Sequence, residues 1–483
     1  MRVESRLTGE VPLSTAADVA ADLPPDSTIL VSGFGSVGYP KAVPLALAES
    51  DRELSLTIVS GGSVGAEIDE ALVEADAIER RFPYQSRAPL RRAVNQGTVA
   101  FHDRNVSGVG DEVQYGGLVD PDVAIVEAVA AGEDWLIPST SIGQTPAFVE
   151  SAEVLIIEIN HAQPLELQEV HDIYRPGAPP NREPIPLTTP GERIGDPCIR
   201  FDPEKLQAVV ETERPDTPYS FRDPNGADRE IAQNFRRFIE EELDRSVVFD
   251  ESLNLQFGVG SLGNALMSEI DAMDAGGRDV VYYGEVFQDG LLDMIESDRI
   301  ETTSATSLAL SEEGQQRFFA DIDRYIDSIT LRPCDISNNP ALIDRFGVVA
   351  VNSALEVDLY SNVNSTHING TRLMNGVGGS GDFNRHGFIS VCALPSTVSD
   401  GEKSRIVPMI LHTDHTEHDI DVLITEQGTA DLRGLCPRER ADRIIEQCAH
   451  PTFRPNLREY LSRSDEGGGH IPHDPEAAVS WDH

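Results

Sequence analysis

The sequence predicts an α/β protein of two related domains with mostly parallel sheets. Three observations carry that expectation. Short apolar runs alternate with helical patterns, several of those runs end in glycine-rich turns, and 483 residues exceed one ordinary core. In the first half, residues 27–32 read as a strand, followed by a glycine loop and a helical pattern over 40–49. Residues 54–60 repeat the grammar, with glycines at 61, 62 and 65 and a helical pattern over 66–74. Residues 123–127 and 154–159 are further buried strands, and the proline-rich stretch 171–197 is an irregular excursion. Turn formers crowd residues 214–226, the expected linker, which divides the chain into domains of 1–222 and 223–483. An amphipathic helix near 229–243 opens the second half. Its strands are expected near 253–259, 279–284, 328–333, 347–353, 387–393, 405–411 and 420–426.

Composition narrows the function classes. Acidic residues number 82 against 38 basic ones, for a net charge of −44, and only Lys41, Lys205 and Lys403 are lysines. The acidic residues run along the whole chain, so no disordered tail accounts for them. Such a surface repels itself unless screened, and at 1 M salt the Debye length is about 3 Å. A high-salt cytoplasm is the expectation. The same field argues against nucleic acid as partner, and an anionic ligand would need local cations or backbone N–H groups. No apolar run reaches the roughly 18 residues of a membrane span, and the first ten residues lack the apolar stretch of a signal peptide. Neither a membrane partner nor export is expected. The five cysteines are scattered and form no C-x-x-C pair, so they read as buried free thiols.

Two stretches match G-x-G-x-x-G. Gly33-Phe34-Gly35-Ser36-Val37-Gly38 lies between a strand and a helix, as a dinucleotide fold requires. The next strand, however, ends in Ser60-Gly61-Gly62, where an acidic residue should hold the ribose. The second, Gly376-Val377-Gly378-Gly379-Ser380-Gly381, runs into residues 382–387 without a helix pattern. Its bare backbone suits close approach of a ligand or an oxyanion. His412, His415 and His418 stand among three carboxylates, which suggests zinc, but their spacing fits no zinc motif and a polar loop is the plainer reading; no metal is expected. Glu285 follows the apolar run 280–283 and Glu426 ends the run 422–425, where open α/β sheets place their ligand crevice. Either alone reads as a surface glutamate at a strand end.

The chain resembles the acetyl-CoA hydrolase/transferase group of class I CoA-transferases, and is most similar to its succinyl-CoA:acetate CoA-transferase branch. The resemblance runs through residues 33–44, 81–86, His171-Asp172-Ile173-Tyr174, Gly258-Val259-Gly260, Gly284-Glu285-Val286-Phe287-Gln288-Asp289 and Ser337-Asn338-Asn339-Pro340. It continues through residues 362–367, 375–383, 412–419 and Thr425-Glu426-Gln427-Gly428. It implies a homodimeric enzyme with its site between two α/β domains, no permanently bound cofactor, and coenzyme A as substrate alongside small carboxylates. It places the covalent nucleophile on Glu285, an auxiliary carboxylate on Glu426 and an asparagine beside the outer carboxylate on Asn338. The N–H groups of an oxyanion hole fall on Val259 and Gly379, with Gly260 in the same bare loop and Asn375 beside the CoA. Lys403 is a candidate for the CoA phosphates, against the plainer reading of a solvated turn lysine. Gly284 stands where the family more often has threonine or serine. A hydrolase, in which water intercepts the glutamyl intermediate, is the near rival. A nicotinamide oxidoreductase and a non-catalytic acyl-CoA-binding protein are the distant ones.

Overall fold

The computed structural model describes residues 2–217 and 221–481. The chain falls into two compact units that are not contiguous in sequence. One comprises Met1–Ser220, Tyr282–Ile295 and Glu301–Leu342; the other comprises Phe221–Val281, Glu296–Ile300 and Ile343–His483. Residues 218–220 of the expected linker lie outside the described residues.

The first unit is built on a nine-stranded sheet of β1 (Thr28–Val31), β2 (Leu56–Ser60), β3 (Ile78–Phe82), β4 (Ala100–Phe101), β5 (Val123–Ala131), β6 (Trp135–Pro138), β7 (Val154–Asn160), β8 (Ile199–Arg200) and β9 (Leu206–Thr212). Its parallel part runs β4-β3-β2-β1-β5-β7-β9, and the antiparallel pair β6–β8 joins the far half of β5. All nine residues of β5 are buried, as expected of a central parallel strand covered on both faces. The strand order reverses between β1 and β5, which is where sheets of this kind open a crevice.

In the second unit, β10 (Ser252–Phe257), β11 (Val349–Asn352), β12 (Ile389–Ala393) and β13 (Val422–Thr425) are parallel neighbours in that order, and β14 (Gly428–Asp431) returns antiparallel to β13. The helix Gly226–Arg245 opens this unit and is capped by Asn225 and Asp228 in a reciprocal box. One expected strand shrinks: of residues 405–411 only Ile406–Val407 is extended, pairing with Glu356–Asp358.

The excursion 171–197 is irregular and pinned by polar contacts. Asp172 Oδ1 accepts from the N–H groups of Ile194 (2.8 Å) and Gly195 (2.6 Å), and its other oxygen binds the buried Arg332 guanidinium. His171 donates through Nε2 to Ser139 O at 3.0 Å and is 3% exposed. Burial, the largest cause, pushes its pKa down from 6.5 to about 4. A lowered histidine contributes stability above its unfolded pKa and loses it as pH falls. Acid should therefore destabilise the protein from about pH 6.5 to pH 4, by roughly 3 kcal/mol from this residue. His171→Gln, which can keep the hydrogen bond but does not titrate, should flatten that part of an unfolding-versus-pH curve; an unchanged curve would sink the assignment.

Candidate active site

Glu285 sits just past the end of the strand Asp279–Tyr283, half-buried. Its backbone is held from the following segment: Gly284 N–H donates to Ser304 O and Thr306 N–H donates to Glu285 O, each at 2.9 Å. Its Oε2 accepts from Asn338 Nδ2 at 3.1 Å. Asn338 is fully buried at the end of the short helix Cys334–Ser337, and Ser337 Oγ donates to its Oδ1 at 2.8 Å. The serine thereby fixes which end of the amide faces Glu285. Thr306 ties the arrangement together, because its Oγ1 donates to Arg332 O (2.7 Å) and accepts from Gly143 N–H (3.0 Å). Arg332 is the residue clamped by Asp172, so the 171–174 motif braces the segment that delivers Asn338.

The loop of residues 33–38 has a structural task. Phe34 is buried in one cluster with Val106, Val286, Ala309 and Cys334, directly flanking both Glu285 and the Asn338 helix. A side chain at Gly35 would meet Ser307 Oγ at 3.0 Å and Ala309 Cβ at 3.1 Å, and Gly35 has φ 66°. Where a dinucleotide fold would seat a pyrophosphate, the start of the helix Ala42–Ala48 is already occupied. The buried carboxylate of Glu158 accepts from the N–H groups of Lys41 (2.7 Å), Ala42 (2.9 Å) and Val43 (2.7 Å). The crevice at the strand reversal is filled as well. Lys41 Nζ reaches Glu127 at 2.5 Å and Asp216 at 2.8 Å, with all three side chains fully buried. That geometry removes the nicotinamide reading.

The other expected site residues belong to the second unit. Glu426 and Gln427 form the two-residue turn between β13 and β14. Ser396 N–H donates to Glu426 Oε2 at 2.8 Å, Ser396 Oγ binds Oε1, and Gln427 Nε2 donates to Oε1 at 2.9 Å. Burial works to raise the pKa of Glu426, but these donors together outweigh it and hold the pKa below the usual glutamate value. A carboxylate so held is an anion that orients its neighbours rather than a proton donor. Gly258-Val259-Gly260 leads into the helix Ser261–Asp271, with Val259 43% exposed, φ 133° at Gly260 and open space where a Gly260 side chain would stand. Asn375 and Gly379 share the segment 375–379 that leads into a helix, where Asn375 Nδ2 donates to Gly376 O at 2.9 Å. Lys403 is exposed, in the hairpin Thr397–Val398/Lys403–Ser404. With Arg405, Glu356, His367, Asn369 and Ser399 it lines a cleft of about 250 Å³, where two cations stand with one carboxylate on a strongly acidic chain.

Several sequence expectations change. A helix, Ser380–His386, begins inside the second glycine motif and runs through the residues after it. It has Asp382 in its first turn and Arg385 and His386 in its last, so charges suited to its dipole support it where apolar periodicity is lacking. The histidine run diverges. His412 pairs with Asp414 (3.1 Å) and lies against His367, whereas His415 is buried and meets Ser380 Oγ at 3.1 Å. Among the described residues, no group of three His, Cys, Asp or Glu could hold a metal. Four cysteines are buried thiols, but Cys436 is exposed at the start of the helix Pro437–Gln447. Sequence reasoning missed Ser396, Thr306 and the orienting role of Ser337; of these only Ser337 belongs to a stretch that carries the family resemblance.

Comparison with known proteins gives a consistent result. A family model described as "Acetyl-CoA hydrolase/transferase N-terminal domain" matches residues 12–211, and the corresponding C-terminal domain model matches 314–461. The chain is 42% identical to the succinyl-CoA:acetate CoA-transferase of Clostridium kluyveri, over 96% of this chain and 87% of that one. It is 40% identical to an acetyl-CoA hydrolase of Eremothecium gossypii, over 90% and 86% of the two chains. The crystal structure of RipA from Yersinia pestis superposes with a TM-score of 0.70 at 21% identity, covering 94% and 97%, which shows the shared fold.

Proposed function

The chain belongs to the acetyl-CoA hydrolase/transferase family, and on that premise we propose a coenzyme A transferase that moves CoA between small carboxylic acids of the acetate and succinate class. The observation that carries this reading is Glu285 held at a strand end by the buried, serine-fixed amide of Asn338. In the proposed reaction the ionised Glu285 attacks the acyl-CoA thioester carbonyl and expels CoA thiolate, leaving an acyl–glutamyl anhydride. The thiolate then attacks the Glu285 carbonyl and releases the first acid, leaving a glutamyl-CoA thioester. An incoming carboxylate attacks that thioester, and the same steps in reverse deliver the new acyl-CoA. Two easier exchanges replace one hard one. Each tetrahedral intermediate needs N–H donors, each worth about 2.7–4 kcal/mol; Val259 and Gly379, beside Gly260, are proposed for that work. Glu426 orients, Asn375 lies along the CoA, and Lys403 meets its phosphates, a role that its sharing a cleft with Arg405 supports.

The test is intact mass after mixing with succinyl-CoA in high salt without acceptor, followed by peptide mapping. A CoA adduct on the Glu285 peptide, discharged by acetate with formation of acetyl-CoA, is expected. CoA released equally fast without acetate and no adduct would instead support the hydrolase, the reading favoured by relatives such as the Eremothecium protein. The proposal extends to halves of 1–222 and 223–483, a homodimer and a cytoplasmic, salt-rich setting. Buried free thiols and the net charge of −44 support that setting. Dialysis from about 2 M to 0.05 M salt lengthens the Debye length several-fold and should lower the unfolding midpoint markedly. An unchanged midpoint would remove the salt-adapted reading, and a monomer mass in light scattering would remove the dimer.

A further inference from the structure

Gly284 is buried, and its φ lies outside the left-handed region, so conformational freedom does not explain a glycine there. Space does. A Cβ at position 284 would lie 2.5 Å from both Cζ and Oη of Tyr282 and 2.9 Å from Cε1. Tyr282 is fully buried, and its O–H donates to Val286 O at 2.8 Å. The side chain therefore leaves the chain three residues before Glu285, folds over Gly284 and is fastened one residue beyond Glu285. Moving the ring aside would break the Val286 bond and disturb a filled core, so the contact is stiff.

We propose that Tyr282 is a positioning residue for the nucleophile, a clasp over Gly284 that fixes the peptides on both sides of Glu285 and so keeps its carboxylate on Asn338. This rests on the function proposed above. A nucleophile misplaced by about 1 Å costs on the order of 100-fold in rate, so a clasp acts on turnover while leaving CoA binding alone. Tyr282→Phe keeps the ring and removes the tether; it should lower kcat about tenfold, the effect of one hydrogen bond, with KM for acyl-CoA unchanged. Gly284→Ser should push the ring away and cost about 100-fold in kcat. Gly284→Ser combined with Tyr282→Leu should recover about tenfold over Gly284→Ser alone, because the smaller side chain returns the space.

The readouts are kcat and KM, the rate of glutamyl-CoA adduct formation by mass, and the thermal midpoint of each variant in high salt. Tyr282→Phe forming adduct at the parent rate would overturn the proposal, as would a rise in KM without loss of kcat, or Gly284→Ser and Tyr282→Leu effects that simply multiply. Should the serine variants fail to fold, Tyr282→Phe decides alone, since it changes no packing volume. If the parent itself forms no adduct on Glu285, the functional reading fails and the positioning role with it; a labelled parent beside an unaffected Tyr282→Phe overturns only the positioning role.

Discussion

Glu285→Gln should leave a folded protein that forms no CoA adduct and transfers CoA at least about 10⁴-fold more slowly than the parent. Glutamine keeps the length of the side chain and can still accept from Asn338 Nδ2 through its carbonyl oxygen, so the local structure has little reason to change. What it lacks is the anionic oxygen that attacks the thioester. Glu285→Asp separates position from charge: it retains the carboxylate but withdraws it by about one methylene, a displacement that costs on the order of 100-fold. Kinetics with succinyl-CoA and acetate, together with intact mass, would check both variants. Parent-level turnover in Glu285→Gln would mean that another group is acylated and would withdraw the mechanism.

Lys41→Met should strongly destabilise the first unit. Lys41, Glu127 and Asp216 are all fully buried, and Ser139, Thr140, Gln163 and Asn160 satisfy the remaining carboxylate lone pairs. Removing the cation leaves two carboxylates facing one another without counter-charge, a loss of about 3–5 kcal/mol. Urea unfolding in high salt would measure it. Burial already pushes the Glu127 pKa above the usual glutamate value, against the pull of Lys41 and with Asp216 adding to the rise. A raised carboxylate contributes stability below its unfolded pKa and loses it as pH climbs through the folded value. The variant's deficit should therefore be greatest at pH 8 and shrink towards pH 5, as a proton replaces the lysine. A deficit independent of pH would show that packing, not charge, is what Lys41 supplies. Lys41→Met with Glu127→Gln and Asp216→Asn should recover much of the loss, because a neutral buried cluster carries no uncompensated charge.

Alternation of apolar runs with helical patterns was enough to place β1, β2, β5, β7, β10 and β13 within a few residues, because buried parallel strands are continuous apolar stretches whatever surrounds them. The carboxylates at the ends of such strands were legible for the same reason: Glu285 and Glu426 each terminate a run that can only be interior. Short segments were not legible. Ile406–Val407 is extended only because Glu356–Asp358 lies beside it, and Ser380–His386 is helical with little periodicity to announce it.

Partnership across long sequence distances was decided by tertiary structure alone. Nothing in the order of residues says that Asn338 reaches back 53 positions to Glu285, or that Ser396 holds Glu426 from 30 positions away. Nor does a G-x-G-x-x-G pattern reveal that Glu158, 116 residues from Ala42, already occupies the helix start that a phosphate would need. The sequence by itself determined the fold class, the acidic surface and the chemical types available at strand ends, since those follow from local periodicity and composition. Which of those groups meet, and which glycine loop supports the nucleophile rather than a ligand, depended on packing, because a hydrogen bond or a steric contact is set by distance in space and leaves no local trace.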